Sequence, residues 1–414
     1  MNADRRRLLA GLTTVCAAGI TGARGQSAST SIVLPAAESI KAELFPQLSG
    51  SYLDCASHHP MIAPSSQAIQ DYAQGLSMGY APADSAVVRA KFAQLINAEA
   101  DEIVYAPSTS LGENLITRAI DLPARGGRII TDALHFIGSF YLYEQLGKQG
   151  MDVVVLPIQE DGSISYEQYA SAITDDTRLL AVSHISWING FQHDLKALAD
   201  LAHAHGAYLY ADIMQSAGNT PIDAKAMGID FACCGTYKWL MGDFGLAFLY
   251  ADKNRVPELV SPWYGYLQTN NFVTPATHLY PFDAPGSPAY TSAPREGVAG
   301  IFNGSFPPRM IEAGASVSLG WLLETGVETL QRARQPMLEA LQTQLRERGF
   351  RPYTPADSTS PIVSFIYRDA SRLNERLADA QVTISTYTDR FRISPSFFND
   401  MNDIDRVIEA LGRA

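Results

Sequence analysis

Short apolar runs alternate with amphipathic stretches along most of the chain. Residues 128–131, 153–157, 179–184, 208–212, 231–233 and 246–250 have the length and composition of buried strands, and "EIVYA" ending at Ala106 adds another. Between two of these runs, "DLKALADLAHAHG" places Leu195, Leu198, Leu201 and Ala202 on one side of a helix. Asp194 stands where it caps the start and Gly206 where it ends the last turn. Such alternation predicts an α/β fold with helices on both faces of a mostly parallel sheet. From about residue 310 the pattern changes to a long helical stretch reaching near Leu345, then short strands and helices ending at "DIDRVIEAL". The expected organisation is a leader over 1–26, an N-terminal segment over 27–52, a large domain over 53–300 and a small C-terminal α/β domain over 301–414.

Composition narrows the partners. The 414 residues are 46% hydrophobic and 18% charged, with a formal net charge of -12. That balance disfavours nucleic acid and anionic membrane surfaces, which need basic patches, and favours a small-molecule substrate. No apolar run reaches the roughly 18 residues of a membrane span. The leader "DRRRLLAGLTTVCAAGI" sets Arg5, Arg6 and Arg7 before a modestly apolar stretch, the layout of an export signal, with Asp4 where Ser or Thr is commoner. It reads as a twin-arginine signal, so the export machinery is an expected partner and the periplasm the expected location. That route carries folded protein and suits a chain that loads a cofactor before export. Val15 before Cys16 is too large for a lipoprotein cleavage site. Without the leader, Cys55, Cys233 and Cys234 remain, an odd count that argues against a disulfide framework.

One lysine stands out. "ACCGTYKWLMGDFG" sets Lys238 between Tyr237 and Trp239 in an otherwise apolar or glycine-rich stretch, and Asp212 ends the strand before it. In open α/β sheets ligands sit beyond the carboxyl ends of strands, so both side chains are expected in one crevice. An amine among apolar groups has a lowered pKa and forms a Schiff base with an aldehyde, while a carboxylate holds a protonated pyridine nitrogen. Pyridoxal 5'-phosphate is the cofactor that uses both. By itself the pair is a weak pattern, because strand-end aspartates often serve turns and lysines are usually solvated.

The segment "YADIMQSAGNTPIDAKAMGIDFACCGTYKWLMGDFG" resembles the core of the class V aminotransferase family of fold-type I pyridoxal phosphate enzymes, and the resemblance runs from about Leu53 to the C-terminus. Within that family "QSAGNTPID" followed by "TYKWL" is most similar to kynureninases. The resemblance implies a mostly parallel seven-stranded sheet. It also implies that Lys238 links to the cofactor and shuttles protons, that Asp212 partners the pyridinium, that Tyr237 donates to the phosphate, and that Gln215 touches the ring.

Further motifs take roles from the same resemblance. "APSTSLGEN" follows a strand and opens a helix, a place for an anion or for a plain cap; it matches the family's phosphate loop, with Ser110 at a hydroxyl position and Leu111 where Glu is usual. Phe136 falls where relatives stack His or Phe on the ring. Trp187 stands where Asn often contacts the cofactor, and either lines the pocket or fills core. Ser305 matches a residue that reaches the partner subunit's phosphate, which implies a homodimer with shared sites. "DRFRISPSFFND" resembles the segment whose arginine grips the substrate carboxylate. The broader family pattern selects Arg392 and the kynureninase pattern Arg390; on an extended strand both point the same way. The histidines show no metal spacing.

No cysteine follows Cys234, so the small domain lacks the nucleophile that cysteine desulfurases use. The expected function is an exported, dimeric pyridoxal phosphate enzyme acting on an amino acid or a peptide-borne amine. Alternatives are a kynureninase-like hydrolase or lyase, an exported enzyme tailoring a peptide siderophore side chain, and a non-catalytic cofactor-binding protein.

Overall fold

A computed structural model describes residues 34–80, 85–273 and 291–414; the leader lies outside them. Seven strands form the main sheet: β1 (Ile103–Ala106), β2 (Arg128–Asp132), β3 (Asp152–Leu156), β4 (Thr177–Ser183), β5 (Tyr208–Asp212), β6 (Phe231–Gly235) and β7 (Ala247–Ala251). Their order is β1-β7-β6-β5-β4-β2-β3. Only β7 runs against its neighbours, β1 and β6, so the sheet is mostly parallel as expected.

Both faces of the inner strands are buried, and the two-residue period assigns their side chains to one of two cores, whereas the edge strand β3 leaves Val155 exposed. Leu180, Val182, Leu209, Ala211 and Cys234 fall in one cluster. Leu179, Ala181, Tyr208, Tyr210 and Cys233 fall in the other. By the same alternation Ser183 and Asp212, paired in register at the ends of β4 and β5, share the second face.

Seven helices matter for the site: α1 (Ala63–Ser77), α2 (Ser85–Leu95), α3 (Thr109–Ala119), α4 (Ile137–Lys148), α5 (Leu195–Ala204), α6 (Arg309–Thr325) and α7 (Val327–Glu347). Asp194 caps α5 by accepting from Ala197 N–H at 3.0 Å, and Gly206 turns the chain away at φ 71°. The continuous helix expected to near Leu345 is instead two, because Gly326, at φ 82°, breaks it between α6 and α7. The helical pattern persists across one non-helical residue, so periodicity alone misses the break. α6 packs along α1 and α2.

The C-terminal part adds a four-stranded antiparallel sheet, β8 (Arg351–Pro352), β9 (Val363–Ile366), β10 (Ser385–Thr386) and β11 (Arg390–Ile393), in the order β8-β9-β11-β10. Its core of Leu341, Phe365, Phe391 and Ile404 also takes in Leu53. Ser51 and Tyr52 pair with Val382 and Thr383. That pair is a separate two-stranded sheet; a bridge from Asp54 to Ser394, just past β11, carries the N-terminal segment on to the C-terminal sheet and sets Asp54 and Ser57 beside Arg392.

Candidate active site

The carboxyl ends of β4, β5 and β6 and the start of α3 surround one cavity, lined by Ser108, Thr109, Ser110, Phe136, Ser183, Ile185, Trp187, Asp212, Met214, Gln215, Tyr237 and Lys238. Helix α3 reaches this point because Gly112 lies against β6; a Cβ there would stand 2.4 Å from Cys233 Sγ. On the opposite side of the sheet ends, the turn after β5 is held by Gly218, at φ 92°, whose added Cβ would meet Trp239 O at 2.6 Å. These close approaches bring Asp212 and Lys238 to one crevice.

Lys238 is buried, and its pKa falls to about 8, first by burial and then by the Arg392 charge. Its Nζ lies 5.7 Å from the Tyr237 ring centroid and has no hydrogen-bond or ion-pair partner among the described residues. At pH 7 roughly a tenth of such an amine is unprotonated, against well under a thousandth for a free lysine. Asp212 Oδ1 accepts from Met214 N–H at 2.9 Å. Burial pushes this carboxyl up, and the positive charge of His135 is the largest opposing influence.

Ser108 is the N-cap of α3, its Oγ accepting from Leu111 N–H at 3.1 Å. Thr109 Oγ1 accepts from Gly235 N–H at 3.1 Å, tying the helix start to β6. The Ser110 hydroxyl has no partner among the described residues and faces the cavity. Three hydroxyls and the free N–H groups of a helix start form an anion site. Gln215 lines the cavity with its amide already fixed, Nε2 donating to Ala56 O at 3.0 Å and Oε1 accepting from Trp239 Nε1 at 2.9 Å. Tyr237 stacks on Phe244 with centroids 3.9 Å apart. Phe136 and Trp187 form an edge-to-face wall at 6.3 Å, and the buried Trp187 Nε1 has no hydrogen-bond partner among the described residues.

Leu111 is a correction. Its side chain points outward, 38% exposed, and its N–H is already bonded to Ser108, so it lines no part of the cavity. The helix turn carries position 111 away from the site while Ser108, Thr109 and Ser110 face it. Ser305 lies exposed in the loop before α6 and is not among the lining residues of its own chain.

Arg390 and Arg392 stand beside the cavity on β11, both buried and both over the Tyr387 ring, at 4.1 and 5.9 Å. Arg392 Nη1 donates to Trp187 O at 2.8 Å, and its Nη2 donates to Ser57 Oγ at 2.5 Å, Ser385 Oγ at 3.1 Å and Asp54 Oδ1 at 3.3 Å. Arg390 Nη1 donates to Asp389, and its guanidinium carbon lies 5.2 Å from the Trp187 ring centroid. The residues that sequence reasoning missed here are Asp54, Ser57, Ser385 and Tyr387, together with Ser108, Thr109, Ser183, Ile185 and Met214 in the cavity. The run of hydroxyls before α3 was a usable cue for Ser108 and Thr109; nothing local marks the others.

The residues fit pyridoxal phosphate. A carboxylate for the ring nitrogen, a lysine with a lowered pKa for the aldehyde, a helix start with hydroxyls for the phosphate and an aromatic side for the ring face surround a single cavity. Among the described residues no group of His, Cys, Asp or Glu is arranged to hold a metal.

Comparison with known proteins agrees. The Aminotransferase class-V family model matches residues 77–386. An uncharacterized aminotransferase, YcbU of Bacillus subtilis, is 34% identical over 54% of this chain and 62% of its own. A probable cysteine desulfurase of Methanothermobacter thermautotrophicus is 31% identical over 50% of this chain and 54% of its own. The chain thus matches less than two thirds of the length of these curated relatives. Among solved structures, a mutant of C-DES with glycine covalently linked to its PLP cofactor superposes with TM-score 0.78 at 16% identity, covering 90% of this chain and 98% of that one. The fold is that of fold-type I pyridoxal phosphate enzymes, and the chain belongs to the class V aminotransferase family, with pyridoxal phosphate as its cofactor.

Proposed function

We propose that the protein transforms an amino acid, or an amine carried by a peptide, by pyridoxal phosphate chemistry that does not pass through a protein persulfide. The observation that carries this reading is the placement of sulfur. Cys55, Cys233 and Cys234 are free but fully buried, and burial pushes each thiol's pKa up, the reverse of what a nucleophilic cysteine needs. No cysteine follows Cys234.

When bound, the cofactor supplies an aldehyde for the amine and a ring that withdraws electrons from the neighbouring carbon. The chain's own residues do the rest. Asp212 holds the ring-nitrogen proton, the start of α3 holds the phosphate, and Lys238 moves a proton at the substrate's Cα. Arg392 and Arg390 present positive charge where a substrate carboxylate approaches. The aromatic wall of Phe136, Trp187 and Tyr387 supports a second, narrower reading, a kynureninase-like cleavage of an aromatic side chain. The likeness of the leader, with Arg5, Arg6 and Arg7, to a twin-arginine signal supports export of the folded enzyme to the periplasm, and the family resemblance at Ser305 supports a homodimer.

A spectroscopic screen tests the reading: purified protein loaded with cofactor, mixed with a panel of amino acids that includes kynurenine, cysteine and small peptides. A change in the cofactor's absorbance with product release from a substrate other than cysteine is expected. Conversion of cysteine to alanine with its sulfur left as a persulfide on the protein, as the only activity, overturns it, and absence of turnover with every compound favours a binding protein. For export, changing Arg5, Arg6 and Arg7 together to Lys leaves folded protein in the cytoplasm; undiminished periplasmic protein removes the twin-arginine reading.

A further inference from the structure

Behind Asp212, on the face of the sheet that it shares with Ser183, lies a buried polar cluster that the reaction described above does not use. Glu113 on α3 is 2% exposed and His135, in the turn after β2, is 0% exposed. Glu113 accepts from Ser139 Oγ at 2.5 Å and from the Tyr143 hydroxyl, both on α4. His135 Nε2 lies 3.1 Å from Glu113 Oε1, and its Nδ1 lies 2.9 Å from Ser183 Oγ. Ser183 is the register partner of Asp212 and lines the same cavity.

An ionised carboxylate enclosed this completely needs a cation, because hydrogen bonds from neutral hydroxyls do not cancel its charge. Among the described residues, His135 is the one partner of Glu113 able to carry a positive charge. As an imidazolium it donates from both nitrogens, to Glu113 and to Ser183 Oγ, which leaves the Ser183 hydroxyl hydrogen to point into the cavity.

We propose that Glu113 and His135 form a buried carboxylate–imidazolium pair whose positive end keeps Asp212 ionised, making both of them positioning residues for the partner of the cofactor's ring nitrogen. The proposal rests on the reading that Asp212 faces that nitrogen. Charge supports it. With Glu113 and Asp212 ionised, one imidazolium balances one of two buried negative charges, and a ring nitrogen carrying its proton against Asp212 balances the second.

The surroundings of His135 agree. Besides Glu113, it faces Asp212 and the Tyr210 ring from β5, Asp132 from β2, and Tyr143 from α4. Burial lowers its pKa, but Glu113, Asp212 and Asp132 together raise it above the ordinary value. Asp132 is itself engaged by the Tyr169 hydroxyl at 2.6 Å and by His193 at 3.2 Å, so it is not the dedicated partner. A protonated Asp212 has no charge with which to hold a pyridinium, so loss of the imidazolium weakens that hold even with Asp212 in place.

Nitrogen NMR of the full chain without added cofactor reads the pair directly, His135 being assigned by the resonance lost in His135→Gln. The expected result is a doubly protonated imidazole at pH values well above the ordinary histidine range near about 6.5, and conversion to a neutral ring in Glu113→Gln. A neutral His135 in the unmodified protein overturns the proposal, whatever the enzyme's substrate proves to be.

Cofactor titration gives the second arm. His135→Gln and Glu113→Gln each weaken pyridoxal phosphate binding roughly tenfold, the equivalent of about one pKa unit of lost interaction, and alter the absorbance of the bound cofactor. Tyr143→Phe removes a neutral hydrogen bond and leaves both readouts near those of the unmodified chain. Equal binding and equal spectra for all three variants contradict the pair's role. If Glu113→Gln fails to fold, His135→Gln and the NMR measurement still decide; if His135→Gln fails to fold, the cofactor titration of Glu113→Gln against Tyr143→Phe decides. Failure of the unmodified chain to bind pyridoxal phosphate, with His135 still charged, counts against Asp212's assigned partner and not against the pair.

Discussion

At one end of the cavity Asp212, Lys238 and the hydroxyls of Ser108, Thr109 and Ser110 sit on strand ends and a helix start, each fixed by the main chain of a single sheet. At the other end Arg390 and Arg392 come from the small sheet, and Arg392 meets Asp54 and Ser57, which lie 338 and 335 positions away in sequence. The cofactor end keeps its working groups open: the Lys238 amine and the Ser110 hydroxyl have no hydrogen-bond partner among the described residues. The end proposed for the substrate is already occupied by its own protein, because Arg392 spends both terminal nitrogens on Trp187 O, Asp54, Ser57 and Ser385. A group held open for a covalent partner is stored at a cost in stability. A group held closed sets a threshold that only a well-matched carboxylate passes.

The stored cost is measurable at Lys238. Its pKa drops from 10.5 to about 8, so between those values the unfolded chain binds the proton and the folded chain does not. Stability of the cofactor-free protein therefore rises with pH through that window, and the penalty is fully present below about pH 8. Lys238→Met should stabilise the cofactor-free protein by up to about 3 kcal/mol at pH 7, with the gain shrinking as pH approaches the free-lysine value. Denaturant unfolding at several pH values checks this; a gain that does not change with pH would mean that packing, not charge, governs the site.

Arg392→Lys should come next. One ammonium cannot span both Trp187 O and Ser57 Oγ as the planar fork does. Substrate binding is expected to fall by roughly ten- to a hundredfold, or about 1.5 to 3 kcal/mol, while the cofactor spectrum stays unchanged. Arg390→Lys should do less, since Arg390 pairs with Asp389, whose side chain is 62% exposed. Equal, unaltered titrations for both variants would remove the carboxylate grip from the substrate end.

How much of this was legible in the sequence follows the same division. The run ending at Asp212 and the lone cation at Lys238 stand close enough in the chain for strand spacing to place both in one crevice, and the strand alternation gave the sheet. The Asp194 cap and the Gly206 end were readable because capping is local chemistry. Leu111 was misplaced because the family pattern aligns positions without saying which way a helix turn points them. Asp54 left no local trace because the charge it meets, Arg392, lies 338 positions away; Tyr387, Glu113 and His135 have nearer partners, but no cap, strand-end or spacing rule marks them before packing sets the ring under a guanidinium and the carboxylate against the imidazole.

Asp54 sharpens the comparison with a smaller effect and the opposite sign. Asp54→Asn removes the carboxylate that competes for Arg392 Nη2 and should tighten amino-acid binding several-fold, on the order of 1 kcal/mol. A control away from both ends, Asp194→Ala, should cost about 1 kcal/mol of folding stability through the lost helix cap and leave cofactor and substrate titrations as they were.

The assignment on which both ends depend is that of Lys238 as the residue bonded to the cofactor. Borohydride reduction of the cofactor-loaded protein, followed by proteolysis and peptide mass mapping, tests it most directly. A pyridoxyl group on the peptide containing Lys238, and its absence from Lys238→Ala, is the expected result. The same label on another lysine, or label retained in Lys238→Ala, would contradict it.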